Sequence, residues 1–144
     1  KTELVSNGVL KTWILNTATA KKLNLKTTGH ASRSIGAPPG TGTNNLFMTN
    51  GIFSYKDLID SANKGFYATE LIGMGVNLVT GDFSVGASGY WIENGEKAFP
   101  VSEVTIASNL TEMFLNLSAA NDLEFKYGTN APTICIEGMT LAGK

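Results

Sequence analysis

The residue types that could perform chemistry are few in this sequence and lie far apart. The chain has one histidine, His30, and one cysteine, Cys135. No HExxH, HExxxH or CxxC spacing occurs, so the residues do not predict a zinc site. His30 lies in a segment rich in glycine, proline and serine. It is either an exposed loop residue or a contact to a ligand, able to shuttle a proton.

A second group of candidates surrounds a glycine-rich stretch of the chain. Residues 86–89 (Gly-Ala-Ser-Gly) are similar to a nucleophile elbow, but Tyr90 stands where the GxSxG pattern needs glycine. Ser88, His30 and Asp82 could be written as a catalytic triad, although any serine-rich chain permits such a choice. Asp82 is either a general acid or base, or a turn residue that bonds its own backbone. The residue types and their spacing alone therefore do not predict a complete catalytic site.

Composition and charge narrow the class of protein. Of the 144 residues, 42% are hydrophobic and 16% are charged, which excludes a disordered chain and fits a single domain, 1–144. The net charge of −1 provides no basic excess of the kind that binds nucleic acid. No run of about 18 apolar residues predicts a membrane helix. One cysteine permits no disulfide within the chain, which is typical of a cytoplasmic protein.

Two Asn-Gly pairs between apolar runs predict tight hairpins, because a type I′ turn needs positive φ at both central residues. The pairs are Asn7-Gly8 and Asn94-Gly95. Small residues at 86–89 predict a bulge or the close approach of another backbone. Further strands are expected at 46–48 and 66–72, within the strand-like region 77–101, which begins with Leu78-Val79, and at 123–127, 133–137 and 139–142.

Helix signals are fewer. Ser54 followed by Asp57 predicts a helix start, and Gly65 predicts its end. A short helix is also expected at 17–25, capped by Thr17 or Thr19. A further helix, capped by Ser108 or Asn109, is predicted by apolar residues at helical spacing that should face the core: Leu110, Met113, Phe114 and Leu117.

Strands and helices do not alternate regularly, which makes a doubly wound α/β fold a poor match. We expect an α+β domain that is rich in β-structure. Its sheet should be mostly antiparallel, strongly curved and barrel-like, with two or three helices.

Five segments together carry a resemblance to a known family. They are 27–31 (Thr-Thr-Gly-His-Ala), 65–89, 91–96 (Trp-Ile-Glu-Asn-Gly-Glu), Pro100-Val101 and 121–124 (Asn-Asp-Leu-Glu). In their order and spacing, these segments resemble the TldD/PmbA family, whose PmbA branch is also called TldE and whose older label is "modulator of DNA gyrase". The resemblance runs from about residue 27 to the C-terminus, so the chain looks like the C-terminal part of a longer PmbA-type protein.

The resemblance implies a role in peptide processing. In this family, TldD-type and PmbA-type subunits form a heterodimeric metallopeptidase that processes leader or unfolded peptides in the bacterial or archaeal cytoplasm. The TldD-type subunit holds the metal through an HExxxH helix and a cysteine in a Cys-Gly-Lys loop. Here residues 121–128 are followed by Thr-Asn-Ala-Pro-Thr, without Cys-Gly-Lys. The resemblance therefore implies the subunit that does not bind metal, with zinc expected in a TldD-like partner and no cofactor in this chain.

Peptide is expected to bind as an extended strand against sheet edges. No residue is assigned a catalytic or metal-binding role, and neither nucleic acid nor membrane is expected as a partner. Without its partner subunit, the protein could form a homodimer. The residues expected to line the substrate cavity are Asp82, Phe83, Ser84, Gly86, Ser88 and His30.

Two alternatives stay open. The chain could belong to a catalytic metallopeptidase subunit whose HExxxH ligands lie upstream of residue 1. It could instead belong to a binding protein without enzymatic output, such as a gyrase modulator, which only the older family label suggests.

Overall fold

A computed structural model describes residues 1–143 of the protein. The chain divides into two compact units. The first unit comprises Lys1–Phe47 and Lys126–Asn130, and the second comprises Met48–Phe125 and the segment that begins at Ala131.

The first unit consists of short elements. The Asn7-Gly8 hairpin forms as expected, with φ of 50° and 73° at its two central residues, although its second strand is only two residues long. Two further strand pairs form: residues 31–32 pair antiparallel with residues 40–41, and residues 46–47 pair parallel with residues 129–130. The elements are β1 (Val5–Ser6), β2 (Val9–Leu10), α1 (Thr17–Lys22), β3 (Ala31–Ser32), β4 (Gly40–Thr41), β5 (Leu46–Phe47) and β10 (Thr129–Asn130).

The cap of α1 differs from the expectation. Asn16, not Thr17 or Thr19, is the N-cap, and its side chain accepts a hydrogen bond from the Thr19 amide at 2.8 Å. Asn16 is also only 4% exposed, and its buried amide nitrogen is satisfied by donating to the carbonyl oxygens of Pro39 and Gly40 at 3.1 and 2.9 Å. These long-range bonds explain why asparagine serves better here than a threonine hydroxyl.

The second unit is built on one four-stranded antiparallel sheet. Its strands, in order across the sheet, are β12 (Thr140–Ala142), β8 (Glu96–Asn109), β7 (Asp82–Glu93) and β6 (Lys64–Ile72). The α+β class and the mostly antiparallel pairing are confirmed, but the sheet stays open, with β12 and β6 at its edges, and does not close like a barrel. The elements are α2 (Tyr55–Asp60), β6 (Lys64–Ile72), β7 (Asp82–Glu93), β8 (Glu96–Asn109), α3 (Leu110–Leu115), β9 (Leu117–Ala119), β11 (Ile134–Ile136) and β12 (Thr140–Ala142).

The start of α2 follows the sequence signal, but its end does not. Ser54 and Asp57 form a capping box, each side chain bonding the backbone amide of the other, at 3.1 and 2.8 Å. The helix ends at Asp60 with Ser61 as its cap, and the Ser61 hydroxyl donates to the Leu58 carbonyl. Gly65 therefore does not end the helix and belongs to β6 instead.

The apolar stripe of α3 does not form a core within the part of the chain that the structure describes. Asn109 caps the helix as expected, but Phe114 is 69% exposed, and Leu110 and Met113 are only half-buried. Leu117 already belongs to β9. Two expected strands are also missing, since residues 78–79 lie in a turn and 123–127 are irregular.

The buried apolar side chains of the second unit lie mainly on the central strands and on α2. They are Leu58, Val85, Ala87, Ile92, Val104 and Ala120. None of the three helices described is long and apolar enough to cross a membrane.

Candidate functional site

Ser88 lies at a point of β7 where the ladders to both neighbouring strands are interrupted. On one side, Ala68 of β6 pairs with Gly89 and Glu70 pairs with Ser88, so that Thr69 is an extra residue. On the other side, residues 102–103 of β8 face Ser88 alone, because the flanking pairs are Ala87–Val104 and Gly89–Val101. Two β-bulges therefore meet at one residue of the central strand, and bulges often occur beside binding sites.

The bulge on β6 explains the glycine that follows Ser88. The Thr69 hydroxyl donates a hydrogen bond to the Ser88 carbonyl oxygen at 3.1 Å. A Cβ atom on Gly89 would lie 1.9 Å from the Tyr67 carbonyl oxygen. The glycine therefore allows a close approach of the β6 backbone, as its sequence context predicts.

The bulge on β8 places a charged residue, Glu103, in an unusual backbone conformation. Glu103 has φ of 58°, in the left-handed region. That conformation costs roughly 1–2 kcal/mol for a residue with a Cβ atom. The pairing of β7 and β8 on both sides of the bulge holds Glu103 there.

A groove of about 330 Å³ lies at this double bulge. Its walls carry hydroxyl groups, one proline and one valine, but no charged side chain. The lining side chains are Thr69, Ser88, Tyr90, Pro100, Val101 and Ser102. Such a surface can hydrogen-bond a neutral, extended ligand and contact its apolar parts.

The predicted cavity residues of β7 divide between two faces of the sheet, because successive side chains of a strand alternate. Asp82, Ser84, Gly86 and Ser88 alternate along one face, which is half-buried or exposed. Phe83 lies on the opposite face, with the buried Val85 and Ala87. Of the predicted residues, Ser88 lines the groove.

Asp82 has the contacts of a turn residue. The Thr80 hydroxyl donates to the Asp82 carboxylate at 2.6 Å, and the Asp82 amide donates back to Thr80 Oγ1 at 3.4 Å. The turn is closed by Asn77 and Gly81, the latter with φ of 81°. A role of Asp82 in acid–base chemistry or in lining a cavity stays a prediction.

His30 belongs to the first unit, whereas the other candidates belong to the second. Its Nδ1 atom lies 2.9 Å from the Thr28 hydroxyl oxygen, and its backbone amide donates to the Leu15 carbonyl oxygen at 3.3 Å. These contacts hold His30 within its own loop.

A cluster that the sequence reading missed lies beside the groove. The Nζ atom of Lys97 lies 3.6 Å from the ring centroid of Tyr67, 5.5 Å from that of Tyr55 and 5.7 Å from that of Tyr90. We call these four residues the lysine–tyrosine cluster. Tyr55 comes from α2, Tyr67 from β6, Tyr90 from β7 and Lys97 from β8, so no local spacing could have indicated it.

Hydrogen bonding and charge favour the protonated forms of Lys97 and Tyr67. The pKa of Lys97 is raised, first by its hydrogen bond with Tyr55 and then by the neighbouring phenol groups. The pKa of Tyr67 is raised as well, first by its hydrogen bond with Tyr55 and then by desolvation. Lys97 therefore presents an ammonium group, which is a donor only, and Tyr67 presents a phenol group, which can donate or accept.

The side chains of residues 1–143 that could ligate a metal ion do not form a metal site. No group of three or more His, Cys, Asp or Glu side chains comes together in that part of the chain. Cys135 lies in β11, paired with Ser118 of β9. Burial, followed by the charge of Glu137, raises the pKa of its thiol, which disfavours the thiolate that a metal requires.

Comparison with known proteins places the chain among metallopeptidase relatives. A profile of the PmbA/TldA metallopeptidase C-terminal domain matches residues 1–143. The metalloprotease PmbA of Escherichia coli O157:H7 is 36% identical over 143 residues, which cover 99% of this chain and 30% of that protein.

Two solved structures share the fold. A TldE from Thermococcus kodakarensis gives a TM-score of 0.85 at 26% identity, covering 97% of this chain and 33% of that one. A proposed modulator of a DNA gyrase from Thermotoga maritima gives 0.80 at 34% identity, covering 96% and 32%. The chain thus spans about a third of the length of these relatives.

Proposed function

Since the chain belongs to the family of PmbA/TldA metallopeptidase C-terminal domains, we propose that it is part of a subunit that does not bind the metal. This subunit pairs with a TldD-like subunit in a heterodimeric peptidase that processes leader or unfolded peptides. The metal, which we expect to be zinc, is held by the partner.

One observation carries this proposal. Where the resemblance places a Cys-Gly-Lys loop in TldD-type subunits, residues 121–128 are here followed by Thr-Asn-Ala-Pro-Thr. The single cysteine, Cys135, lies instead in a strand pair and has a raised thiol pKa, so this chain lacks the cysteine ligand of that pattern. A metallopeptidase centre needs three protein ligands and an open position. The similarity to a protein named TldE agrees with this assignment.

The groove at the double bulge gives this subunit a way to contact substrate. Hydroxyl groups and a proline on its walls suit a peptide whose own charge is low, because none of its lining side chains is charged. Backbone hydrogen bonding of an extended peptide makes little demand on sequence, which fits a peptidase acting on unfolded chains. We expect the assembled enzyme in the cytoplasm.

The first test is to purify the full-length parent protein from its native host and to analyse both its partners and its metal content. The proposal expects a near-stoichiometric partner that contains HExxxH and carries the metal. A protein that purifies alone with about one zinc per chain would show a catalytic subunit instead. A protein that is alone and free of metal would favour a binding protein without enzymatic output.

The second test concerns the groove. In the assembled complex, Ser88→Leu should fill the groove and lower peptide turnover, whereas Ser84→Leu lies on the same face of β7 but does not line the groove. Equal turnover by the two variants and the wild type would show that the groove does not contribute to peptide turnover.

A further inference from the structure

We propose that Lys97, with the phenol groups of Tyr67 and Tyr90, binds the carboxylate of a peptide that lies in the groove at the double bulge. This inference rests on the proposed function, and it adds a preference for one chemical class of peptide. The carboxylate belongs either to the C-terminus of the peptide or to an acidic side chain near that end.

The ammonium group of Lys97 is positioned by contacts with aromatic rings, on a residue that is exposed to solvent. Three aromatic rings from α2, β6 and β7 surround it, and the nearest centroid is 3.6 Å away. The rings of Tyr55 and Tyr67 meet edge to face, with centroids 5.9 Å apart and planes at 76°. A cation that is already positioned loses less conformational entropy when it binds an anion.

The ammonium group has no acidic partner among residues 1–143. Lys56, by contrast, forms an ion pair with Asp60, at 3.3 Å on the exposed face of α2. Lys97 interacts with phenol rings, which attract a cation but do not neutralise its charge. Its charge therefore remains available to an anionic acceptor from outside.

The position of the cluster links it to the groove. Tyr90 both lines the groove and lies 5.7 Å, by its ring centroid, from Lys97 Nζ. Tyr67 is directly opposite Tyr90 in the ladder of β6 and β7, so the two side chains share a face. A ligand that leaves the groove past Tyr90 meets the ammonium group next.

The charge of Glu70 favours one direction of the peptide, although Asp122 also lies near enough to Tyr67 to raise the pKa of its phenol group. Glu70 pairs with Ser88, two residues along β7 from Tyr90, and shares the face of Ser88. A carboxylate at that end would meet a like charge. The acidic end of the peptide should therefore lie towards Lys97, and its opposite end towards Glu70.

The test is to measure binding of three short N-acetylated peptides to the full-length protein by calorimetry at low ionic strength. The peptides share one uncharged sequence and end in a free carboxylate, in an amide, or in a glutamate followed by an amide. We expect at least one carboxylate peptide to bind about fivefold tighter than the neutral amide, as an exposed ion pair can provide. The peptide that shows the gain identifies the source of the carboxylate.

Variants test whether Lys97 causes the preference. Lys97→Met should abolish it, Lys97→Arg should keep it, and Lys56→Met, in an exposed ion pair on α2, should leave it unchanged. Added salt should weaken the carboxylate peptides and leave the neutral amide unaffected.

The outcomes separate the two proposals. If all three peptides bind equally well to the wild type, the carboxylate site is wrong while the peptide groove stands. A preference that survives in Lys97→Met would also overturn the site. If no peptide binds, both the carboxylate site and the peptide groove are wrong.

Discussion

Thr69 and Ser88 are joined by a hydrogen bond from the Thr69 hydroxyl to the Ser88 carbonyl oxygen, at 3.1 Å. The extra residue of the β6 bulge is thereby tied to the residue that both bulges surround. The Thr69 side chain thus supplies a hydrogen bond at the point where the bulge interrupts the backbone hydrogen bonds between β6 and β7.

Removing that hydroxyl should loosen the bulge. Thr69→Val keeps the shape of the side chain but lacks the donor, and we expect a loss of about 1 kcal/mol in the free energy of unfolding. Thr69→Ser keeps the donor and is the matched control. Urea denaturation of both variants measures the difference, and equal midpoints would show that the bond contributes nothing.

Two glycines on β7 should respond very differently to alanine. A Cβ atom on Gly89 would lie 1.9 Å from the Tyr67 carbonyl oxygen, whereas one on Gly86 would have its nearest neighbours at 3.5 Å. Gly89→Ala should therefore cost about 3 kcal/mol or prevent folding, and Gly86→Ala should stay within about 1 kcal/mol of the wild type. Thermal unfolding distinguishes the two, and similar midpoints would contradict the close contact at Gly89.

The left-handed conformation of Glu103 can be tested with two substitutions at that position. Glu103→Gly removes the Cβ strain and should raise stability by up to about 1 kcal/mol. Glu103→Val introduces a β-branched side chain at positive φ and should lower stability by about the same amount. Should valine prove the more stable of the two in urea, residue 103 is not held at positive φ.

The acid sensitivity of the second unit should depend on Asp122. The Thr133 hydroxyl donates to its carboxylate at 2.7 Å, and this bond, above all, holds the carboxyl pKa below its ordinary value of 3.8. A depressed pKa in the folded state stabilises the protein above the ordinary pKa, and this contribution disappears as the pH falls through the folded value. Asp122→Asn should therefore lose less stability than the wild type when the pH falls below 3.8.

Thr133→Val provides an independent check of that pair. It removes the hydroxyl donor while leaving the carboxylate, so the Asp122 pKa should return towards its ordinary value. Stability measured from pH 6 to pH 2, about the range in which carboxyl groups titrate, should then show a weaker acid dependence. An unchanged profile in both variants would exclude Asp122 as the titrating group.

The thiol of Cys135 should react slowly in the folded protein. Burial raises its pKa, so less thiolate is present at neutral pH, and thiolate is the form that reacts. Alkylation by iodoacetamide should therefore be slower in the folded chain than in urea, and the rate should continue to rise above pH 9. Rapid alkylation at pH 7 would point to an activated thiol and would weaken the proposed function.

Local signals predicted the parts of the fold that depend on neighbouring residues. The turn at Asn94-Gly95 formed with positive φ at both residues, and Ser54 with Asp57 formed the expected capping box. Each of these motifs forms within two to four consecutive residues, so the residue types alone are sufficient to predict its geometry.

Features set by distant partners could not be read in the same way. The cap of α1 is Asn16 because its side chain also bonds Pro39 and Gly40, and the apolar spacing of α3 did not place Phe114 in a core. The glycine-rich stretch at 86–89 did predict a bulge, but the pairing with two other strands decided that both bulges fall at Ser88. The lysine–tyrosine cluster needs four separate elements and has no sequence signature.

The two consecutive residues Leu15 and Asn16 hold both ends of the glycine- and proline-rich segment. The Leu15 carbonyl oxygen accepts from the amides of Thr28 and His30, and the Asn16 side chain bonds the carbonyls of Pro39 and Gly40. In terms of chain entropy, the segment is a short closed loop rather than a long flexible linker. The entropic cost of loop closure grows by only about 0.6 kcal/mol for each doubling of loop length. Insertions at residues 33–37 should therefore destabilise the fold only slightly.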